Sequence, residues 1–353
     1  MEDKLLEYRD FALVMAWPDQ TARGDEKWMA LLKRLGVVKN LNFKVGHAAI
    51  VLVNSQTGAL AYFDFGRYVT PRGYGRARSA ESDPRLALSI RAVFDENGSI
   101  ANLPAILSEL HEMEYATHGG GRLFFSIATG ISYTASTRFA QRIVNQGPVK
   151  YGAIANGNNS CSRFVAQVLL AGLTATHPAR RRISIPESIK PSPMSNVVNA
   201  SPNWMVYCYH DDLLESRRMT RWRSLCFQVD LLLHNLSTAK ARELPCDRKP
   251  GSLSEPQKPT HVPQYAHWLG GIGEGAWYTL EQNVENELLV VVRYAHNGTE
   301  EYRVNCLATH RVDFSVPYQF TYQCHYQRHV VVQGDKQIIL ETITHTDTRA
   351  KTA

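Results

Sequence analysis

A nearly all-apolar β-hairpin is the feature that most constrains the fold of this chain. Its first strand is predicted over Val45–Val53, its turn over Asn54–Gly58 and its second strand over Ala59–Gly66. A strand that lacks a polar face has to be covered on both sides, as in a layered domain with helices packed on a sheet. His47 in the first strand and Asp64 in the second interrupt the apolar pattern, so both side chains need a reason to be there.

The composition is that of a globular protein large enough for two domains. Of the 353 residues, 44% are hydrophobic and 20% are charged, which argues against global disorder. The net charge is +6, yet the unbroken basic run Arg180-Arg181-Arg182 lies in a Pro-containing stretch without interleaved aromatic side chains. We therefore expect no specific nucleic-acid partner.

Cysteine usage and the first residues bear on the compartment. Six cysteines are scattered rather than clustered as in a small disulfide-bonded domain, at positions 161, 208, 226, 246, 306 and 324. The start, Met1-Glu2-Asp3-Lys4, does not resemble a secretory signal, and Phe11–Trp17 is too short to cross a bilayer. The sequence predicts a cytoplasmic protein with reduced thiols and no transmembrane segment. A leaderless secretion route would leave no mark here.

The pattern changes twice along the chain and predicts three regions. Residues 1–200 carry the hairpin and several helical stretches and form a first domain. Residues 201–262 connect the domains with a helical stretch and a Pro-rich linker. Residues 263–345 contain short β runs separated by turn signals such as Asn297-Gly298, so we expect a small, mostly β domain.

Three segments of the first domain have weaker patterns. Arg67–Pro84 is rich in Gly, Arg and Pro and is predicted to be a long ordered loop. Leu86–Phe94 is predicted to be a strand. Thr174–Asn203 shows no sustained period and is predicted to be a connector laid over the surface.

One cysteine stands where a helix is predicted to begin, in the run Asn159-Ser160-Cys161-Ser162-Arg163-Phe164-Val165. Small polar residues precede apolar positions there, and Ser160 or Asn159 can serve as the N-cap. A thiol in the first helical turn lies near unpaired N–H groups and the positive end of the helix dipole, which favour the thiolate. A buried cysteine that merely starts a core helix fits the same pattern, so the interpretation depends on a nearby base.

His47 is the candidate base for Cys161, and Asp64 is the candidate residue that orients it. Closing the hairpin through its turn brings Asp64 within one or two residues of pairing with the His47 end. A carboxylate there can accept a hydrogen bond from the imidazole and favour its charged form. The alternative for His47 is a core histidine satisfied by a hydrogen bond. The alternative for Asp64 is an ion pair with Arg67 at the strand end.

Three runs carry a resemblance to a known superfamily, namely residues 46–52 (GHAAIVL), 62–68 (YFDFGRY) and 159–165 (NSCSRFV). They resemble the circularly permuted branch of the NlpC-like papain superfamily, which includes lecithin:retinol acyltransferase-like enzymes. They are also similar to a bacterial domain of unknown function. The resemblance covers roughly residues 8–200. One departure is that Ser160 stands between Asn159 and Cys161, whereas the family usually has Asn directly before Cys.

The resemblance implies an α+β, papain-like fold with an antiparallel sheet plus helices, followed by the small β domain. It implies Cys161 as nucleophile, His47 as base and Asp64 as the third polar residue, without a cofactor or metal. The expected activity is that of a thiol hydrolase or acyltransferase acting on an amide or ester bond of a peptide, amide or acyl substrate, for example a cell-wall peptide or a protein amide. The alternative is a non-catalytic binding module that retains the fold.

The C-terminal region offers two further candidate sites. Five residues have spacings that a zinc site could use, although no Cys-x-x-Cys pair is present: Cys306, His310, Cys324, His325 and His329. Trp277 and Tyr278, beside several glycines, could form a carbohydrate or peptide platform, with core packing as the better explanation. We expect no metal, and we expect the β domain to bind a substrate or partner.

Overall fold

A computed structural model describes residues 8–24, 27–152, 157–188, 190–234, 237–245, 254–283 and 288–343. The cysteine predicted to be reduced at position 246 lies outside the described residues, as does part of the Pro-rich linker. The other five cysteines are free thiols. Across the described part of the chain, none of the helices combines the length and the apolar character that crossing a bilayer requires.

The N-terminal region mixes strands and helices. Its elements in chain order are β1 (Asp10–Trp17), β2 (Thr21–Arg23), α1 (Lys27–Arg34), β3 (Asn42–Lys44), β4 (His47–Val53), β5 (Leu60–Gly66), β6 (Tyr74–Arg78), α2 (Leu103–Glu112), α3 (Glu114–Thr117), β7 (Leu123–Ile131), α4 (Tyr133–Asn145), β8 (Val149–Lys150), α5 (Cys161–Gly172), α6 (Pro178–Ser184), α7 (Pro193–Ala200), β9 (Met205–His210), β10 (Leu213–Arg218), α8 (Arg221–Leu233) and α9 (Thr238–Ala241). A 3-10 turn at Pro84–Leu86 lies between β6 and α2.

β1 and β4 lie at the centre of an eight-stranded antiparallel sheet. The strand order is β10-β9-β7-β1-β4-β5-β6-β8. β4 pairs with β1 on one side and with β5 on the other, and all seven of its residues are buried. The predicted hairpin is therefore confirmed, and its apolar first strand is covered on both faces. Strands β2 and β3 form a separate two-stranded sheet.

Helices cover both faces of this sheet because successive side chains of a strand point to opposite sides. Ile50 belongs to a core that includes Phe164 of α5 and Val197 of α7. Its neighbour Val51 belongs to a second core that includes Ile106 of α2. Each large apolar side chain that is fully buried contributes about 1.5–3 kcal/mol. The start of α5 is thereby anchored against the centre of the sheet.

The C-terminal domain, defined here as strands β11–β17, is a seven-stranded antiparallel sheet with the order β11-β12-β13-β14-β17-β16-β15. Its strands are β11 (His267–Leu269), β12 (Ala276–Gln282), β13 (Leu289–Ala295), β14 (Glu300–Ala308), β15 (Gln319–Phe320), β16 (Arg328–Gln333) and β17 (Lys336–Thr342). The chain is thus a mixed α+β protein with a β region at its C-terminal end, as expected. The papain-like assignment stays a prediction.

The domain boundaries also stay a prediction, because the arrangement of the described strands and helices does not define where one domain ends and the next begins. Strands β9 and β10 extend the first sheet through β7, although they lie within residues 201–262. The helix α8 that follows them was anticipated there as a helical stretch.

Three local predictions are wrong for identifiable reasons. No strand forms over Leu86–Phe94, whose apolar residues pack irregularly against the α2 core. The predicted loop Arg67–Pro84 contains β6, whose buried arginines hide the strand pattern. The predicted connector Thr174–Asn203 contains α6 and α7. All eight residues of α7 are buried, so this helix has no polar face to give a period.

We expect Gly172→Ala to destabilise the protein, although alanine normally favours a helix. Gly172 ends α5, and a Cβ there would lie 2.0 Å from Oγ of Ser136 and 3.0 Å from Cγ2 of Ile131. The gain in helix propensity is at most about 1 kcal/mol, whereas overpacking costs about 1–3 kcal/mol. Chemical denaturation should show the net loss. Adding Ser136→Ala should recover part of it, and a single variant as stable as the wild type would contradict this packing.

Candidate active site

His47 is held at the end of the central hairpin. It is the first residue of β4 and follows Gly46, whose backbone has a φ of +75°. A Cβ at Gly46 would lie 3.1 Å from both Cα of Pro18 and the carbonyl oxygen of Trp17, so only glycine lets the chain pass β1 this closely. The imidazole stacks on the Trp17 indole with ring centroids 5.8 Å apart, and its side chain is 11% exposed. Packing therefore fixes the ring.

Cys161 is the first residue of α5 and is partly buried. Ser160, one of the two expected caps, is the N-cap, and its hydroxyl accepts a hydrogen bond from the N–H of Arg163. The Asn159 side chain accepts from the N–H of Ser160 and donates to Gln167. The hydrogen bonds of Asn159 thus hold the loop that leads into α5, and the Ser160 cap fixes the backbone at Cys161, where the helix begins.

The structure brings Cys161 and His47 together. The thiol lies within interaction range of the imidazole and of the backbone of Ala48. Burial alone would raise the pKa of Cys161, but the hydrogen bond and positive charge of His47 lower it overall. Burial would likewise lower the pKa of His47, whereas its interactions with Asp64 and Cys161 raise it to about 9. Each group of the pair therefore favours the charged form of the other.

Asp64 completes this arrangement from β5. It pairs with Ala49, so it lies on the same face of the sheet as His47, and its Oδ2 is 3.5 Å from Nε2 of His47. The Tyr62 hydroxyl donates to Oδ2 at 3.2 Å. Arg78 donates from Nε to Oδ1 at 3.1 Å and from Nη2 to Oδ2 at 2.6 Å. Burial would raise the pKa of Asp64, but Arg78 and His47 lower it to about 2, so the carboxylate is charged.

One ring nitrogen of His47 has two polar neighbours. Nε2 faces the Asp64 carboxylate and the Tyr68 hydroxyl, which lies 3.5 Å away. The alternative partner for Asp64 does not take this role, because Arg67 donates to the backbone carbonyl of Arg23 while Arg78 holds the carboxylate.

Sequence reasoning found three members of the site and missed others. Arg78 and Tyr68 lie in the segment interpreted as a loop, although the alternation of Arg76 and Arg78 in Tyr74–Arg78 is a period-2 strand signal. Two charged residues on one face of a strand next to an apolar hairpin would have indicated a buried acidic partner.

The two C-terminal candidates have the following surroundings in the described part of the chain. Among the described residues, no group of three or more His, Cys, Asp and Glu side chains could hold a metal ion. Cys306 and Cys324 are buried, and burial raises the pKa of each thiol to about 11. His329 is hydrogen-bonded to a buried tyrosine hydroxyl. Trp277 and Tyr278 are 0% and 1% exposed and belong to the core.

Comparisons with known proteins link two regions of the chain to described families. A family model described as type VI secretion system effector TseH-like matches residues 12–178, which include His47, Asp64 and Cys161. A model described as DUF6695 C-terminal domain matches residues 266–343. The crystal structure of the type VI secretion system effector TseH matches with a TM-score of 0.41 and 16% identity, over 59% of this chain and 98% of that chain. No curated protein sequence matches.

These matches agree in part with the sequence resemblance. The TseH-like region falls within residues 8–200, where the resemblance was found. The narrower assignment to the lecithin:retinol acyltransferase-like branch stays a prediction.

We expect Cys161 to react with iodoacetamide faster than the exposed Cys226 near pH ~6.5, because imidazolium stabilises the Cys161 thiolate. His47→Ala should slow labelling of Cys161 by about tenfold or more at this pH and leave Cys226 unchanged. Mass spectrometry of the two cysteine peptides measures both rates in one sample. Equal rates at the two thiols in the wild type would refute the ion pair.

Asp64→Asn should lower the pKa of His47, because the imidazolium then loses its carboxylate partner. The folded wild type keeps His47 protonated up to about pH 9, whereas the variant should lose the imidazolium at lower pH. The pH profile of Cys161 alkylation should consequently shift upward, toward that of an ordinary thiol near pH ~8.5. Tyr62→Phe is the control, since it removes a hydrogen bond to the same carboxylate without removing its charge. A profile for Asp64→Asn that overlays the wild type would count against this role.

Proposed function

We propose that this protein is a thiol hydrolase or acyltransferase that acts on an amide or ester bond through Cys161, His47 and Asp64. The supporting observation is that Cys161 and Asp64 both lie beside His47, so that the pKa of the thiol is lowered and that of the imidazole is raised to about 9. A merely structural cysteine at a helix start would not need a buried, charged histidine and an ionised carboxylate behind it.

In the proposed reaction, the Cys161 thiolate attacks the carbonyl carbon while His47 holds the proton taken from the thiol. Collapse of the tetrahedral intermediate breaks the C–N or C–O bond, His47 gives its proton to the leaving amine or alcohol, and a thioacyl-enzyme remains. Water or another nucleophile then transfers a proton to His47 and releases the acyl group. The first-turn N–H groups of α5 lack acceptors within the helix and are suited to the oxyanion.

The TseH-like match extends the proposal to the setting of the reaction. The matched family is described as a type VI secretion system effector. We infer that this chain is an exported effector of that kind and that its substrate is a cell-wall peptide or a protein amide. Export without a cleaved leader is the route that the sequence left open.

Activity assays should separate the enzyme from a binding module. Peptidoglycan fragments, peptide amides and acyl esters are incubated with the wild type and with Cys161→Ala, and we expect the variant to lose turnover by about a thousandfold or more. Intact-protein mass spectrometry should detect the acyl group on Cys161 in the wild type. Cys226→Ala, which removes an exposed thiol, should retain full activity. Binding of a fragment without turnover or an acyl adduct would favour the non-catalytic module.

A further inference from the structure

We propose that Glu274, which lies just before β12 of the C-terminal domain, is a positioning residue for the Cys161–His47 site. The domain would then be part of the catalytic unit. The inference rests on the function proposed above. It gives the domain a role that differs from the binding of a substrate or partner.

The Glu274 carboxylate is surrounded by three arginines and a histidine from both parts of the protein. Its Oε2 lies 3.2 Å from Nε2 of His118 and 3.7 Å from Nη1 of Arg78. Its Oε1 lies 2.9 Å from Nη2 of Arg85 and 2.8 Å from Nη2 of Arg293. Burial would raise the pKa of Glu274, but Arg293, Arg85 and His118 hold it well below its usual range. The carboxylate is therefore a fixed negative charge.

His118 and Arg78 connect Glu274 to His47 through Tyr68. The His118 imidazole stacks on the Tyr68 ring with centroids 4.6 Å apart and an interplanar angle of 11°. The guanidinium carbon of Arg78 lies 3.7 Å from the centroid of the same ring. The Tyr68 hydroxyl in turn lies 3.5 Å from Nε2 of His47. Glu274 thus contacts both groups that pack on the Tyr68 ring, and Arg78 is also held by Asp64 and Asp83.

Arg78 provides a second connection. It makes two hydrogen bonds to Asp64, the carboxylate that faces the same nitrogen of His47. The charge of Glu274 therefore acts on both neighbours of Nε2, the tyrosine hydroxyl and the carboxylate.

The backbone next to Tyr68 is held by the same contact. The N–H of Val69 donates to the carbonyl of Glu274 at 2.8 Å, and the N–H of Gly273 donates to the carbonyl of Arg67 at 2.9 Å. Val69 has a φ of +44°, which is unfavourable for a β-branched residue and persists only where the surroundings impose it. A Cβ at Gly271 would lie 2.7 Å from the Val69 nitrogen, so the two backbones touch.

The space at this interface argues for positioning and against a ligand pocket. The cavity lined by Tyr68, Arg78, Glu274 and Arg293 has a volume of about 20 Å³. That volume holds about one water molecule and no substrate. The residues that line this cavity therefore interact with one another and do not bind a substrate there.

Glu274→Gln in the full chain tests the proposal, because it removes the charge and keeps the shape. We expect the pH profile of Cys161 alkylation to shift upward and the rate at neutral pH to fall roughly three- to tenfold, a shift of up to about one pKa unit. With a substrate in hand, kcat should fall by a similar factor while KM changes little. Tyr68→Phe should give a shift in the same direction, and the double variant should not add the two effects, since both act through one contact.

Glu301→Gln is the matched control. Glu301 is a largely buried carboxylate at the same interface, and among the described residues its ion pairs are with Arg85 and Arg293, not with His118 or Arg78. It should lower the melting temperature without moving the alkylation profile. If Glu274→Gln and Glu301→Gln give the same profile, the positioning role is refuted.

Two further outcomes are decisive. If Glu274→Gln does not fold, His118→Asn replaces it, because His118 is partly exposed and asparagine tolerates the φ of +55° at this position. An unchanged profile in that variant would overturn the proposal. Wild-type Cys161 that reacts no faster than Cys226 would instead refute the proposed function itself, and this is measured before any variant.

Discussion

The buried ion pair between Asp64 and Arg78 is the interaction on which the site depends. Both side chains are almost inaccessible to water, and removing either partner of such a pair usually costs about 3–5 kcal/mol because a charge is left unpaired. The pair joins the central hairpin to β6. It also places a permanent anion beside His47, which raises the pKa of the imidazole. Arg78 therefore influences the proposed Cys161–His47 pair indirectly, through Asp64.

The sequence was informative at residues whose type differs from what the surrounding pattern requires. His47 and Asp64 stood out because they are polar positions in apolar strands, and Cys161 stood out because a capping residue placed it at a helix start. The hairpin turn sets which residues of the two strands pair. The proximity of His47 and Asp64 could therefore be predicted by counting residues along the strands. Local patterns of this kind were enough to predict the central layers and the three proposed catalytic residues.

The features that could not be predicted from the sequence have a different physical origin. Glu274 is far from the hairpin in sequence, and a single acidic residue beside a glycine-rich turn normally indicates solvent exposure. Only the packing of the C-terminal domain places it next to Arg78, and no periodicity records that contact. The α7 helix was hidden for the opposite reason, because burial on every side removed the amphipathic signal that identifies surface helices.

The contacts that β6 and the segment after it make with the C-terminal domain affect whether such a protein can be cut into separate fragments. The Arg76 guanidinium donates to the backbone carbonyls of Tyr322 and Cys324, and Arg85 pairs with Glu274 and Glu301. Cutting the chain between the two family matches would remove the carbonyl acceptors of Arg76 and two of the carboxylates that pair with Arg85, which would keep Asp83. Each family model therefore matches a segment that is shorter than the part of the chain that contains both partners of these ion pairs and hydrogen bonds. Exchange of C-terminal domains between relatives would succeed only where the incoming domain carries matching acceptors.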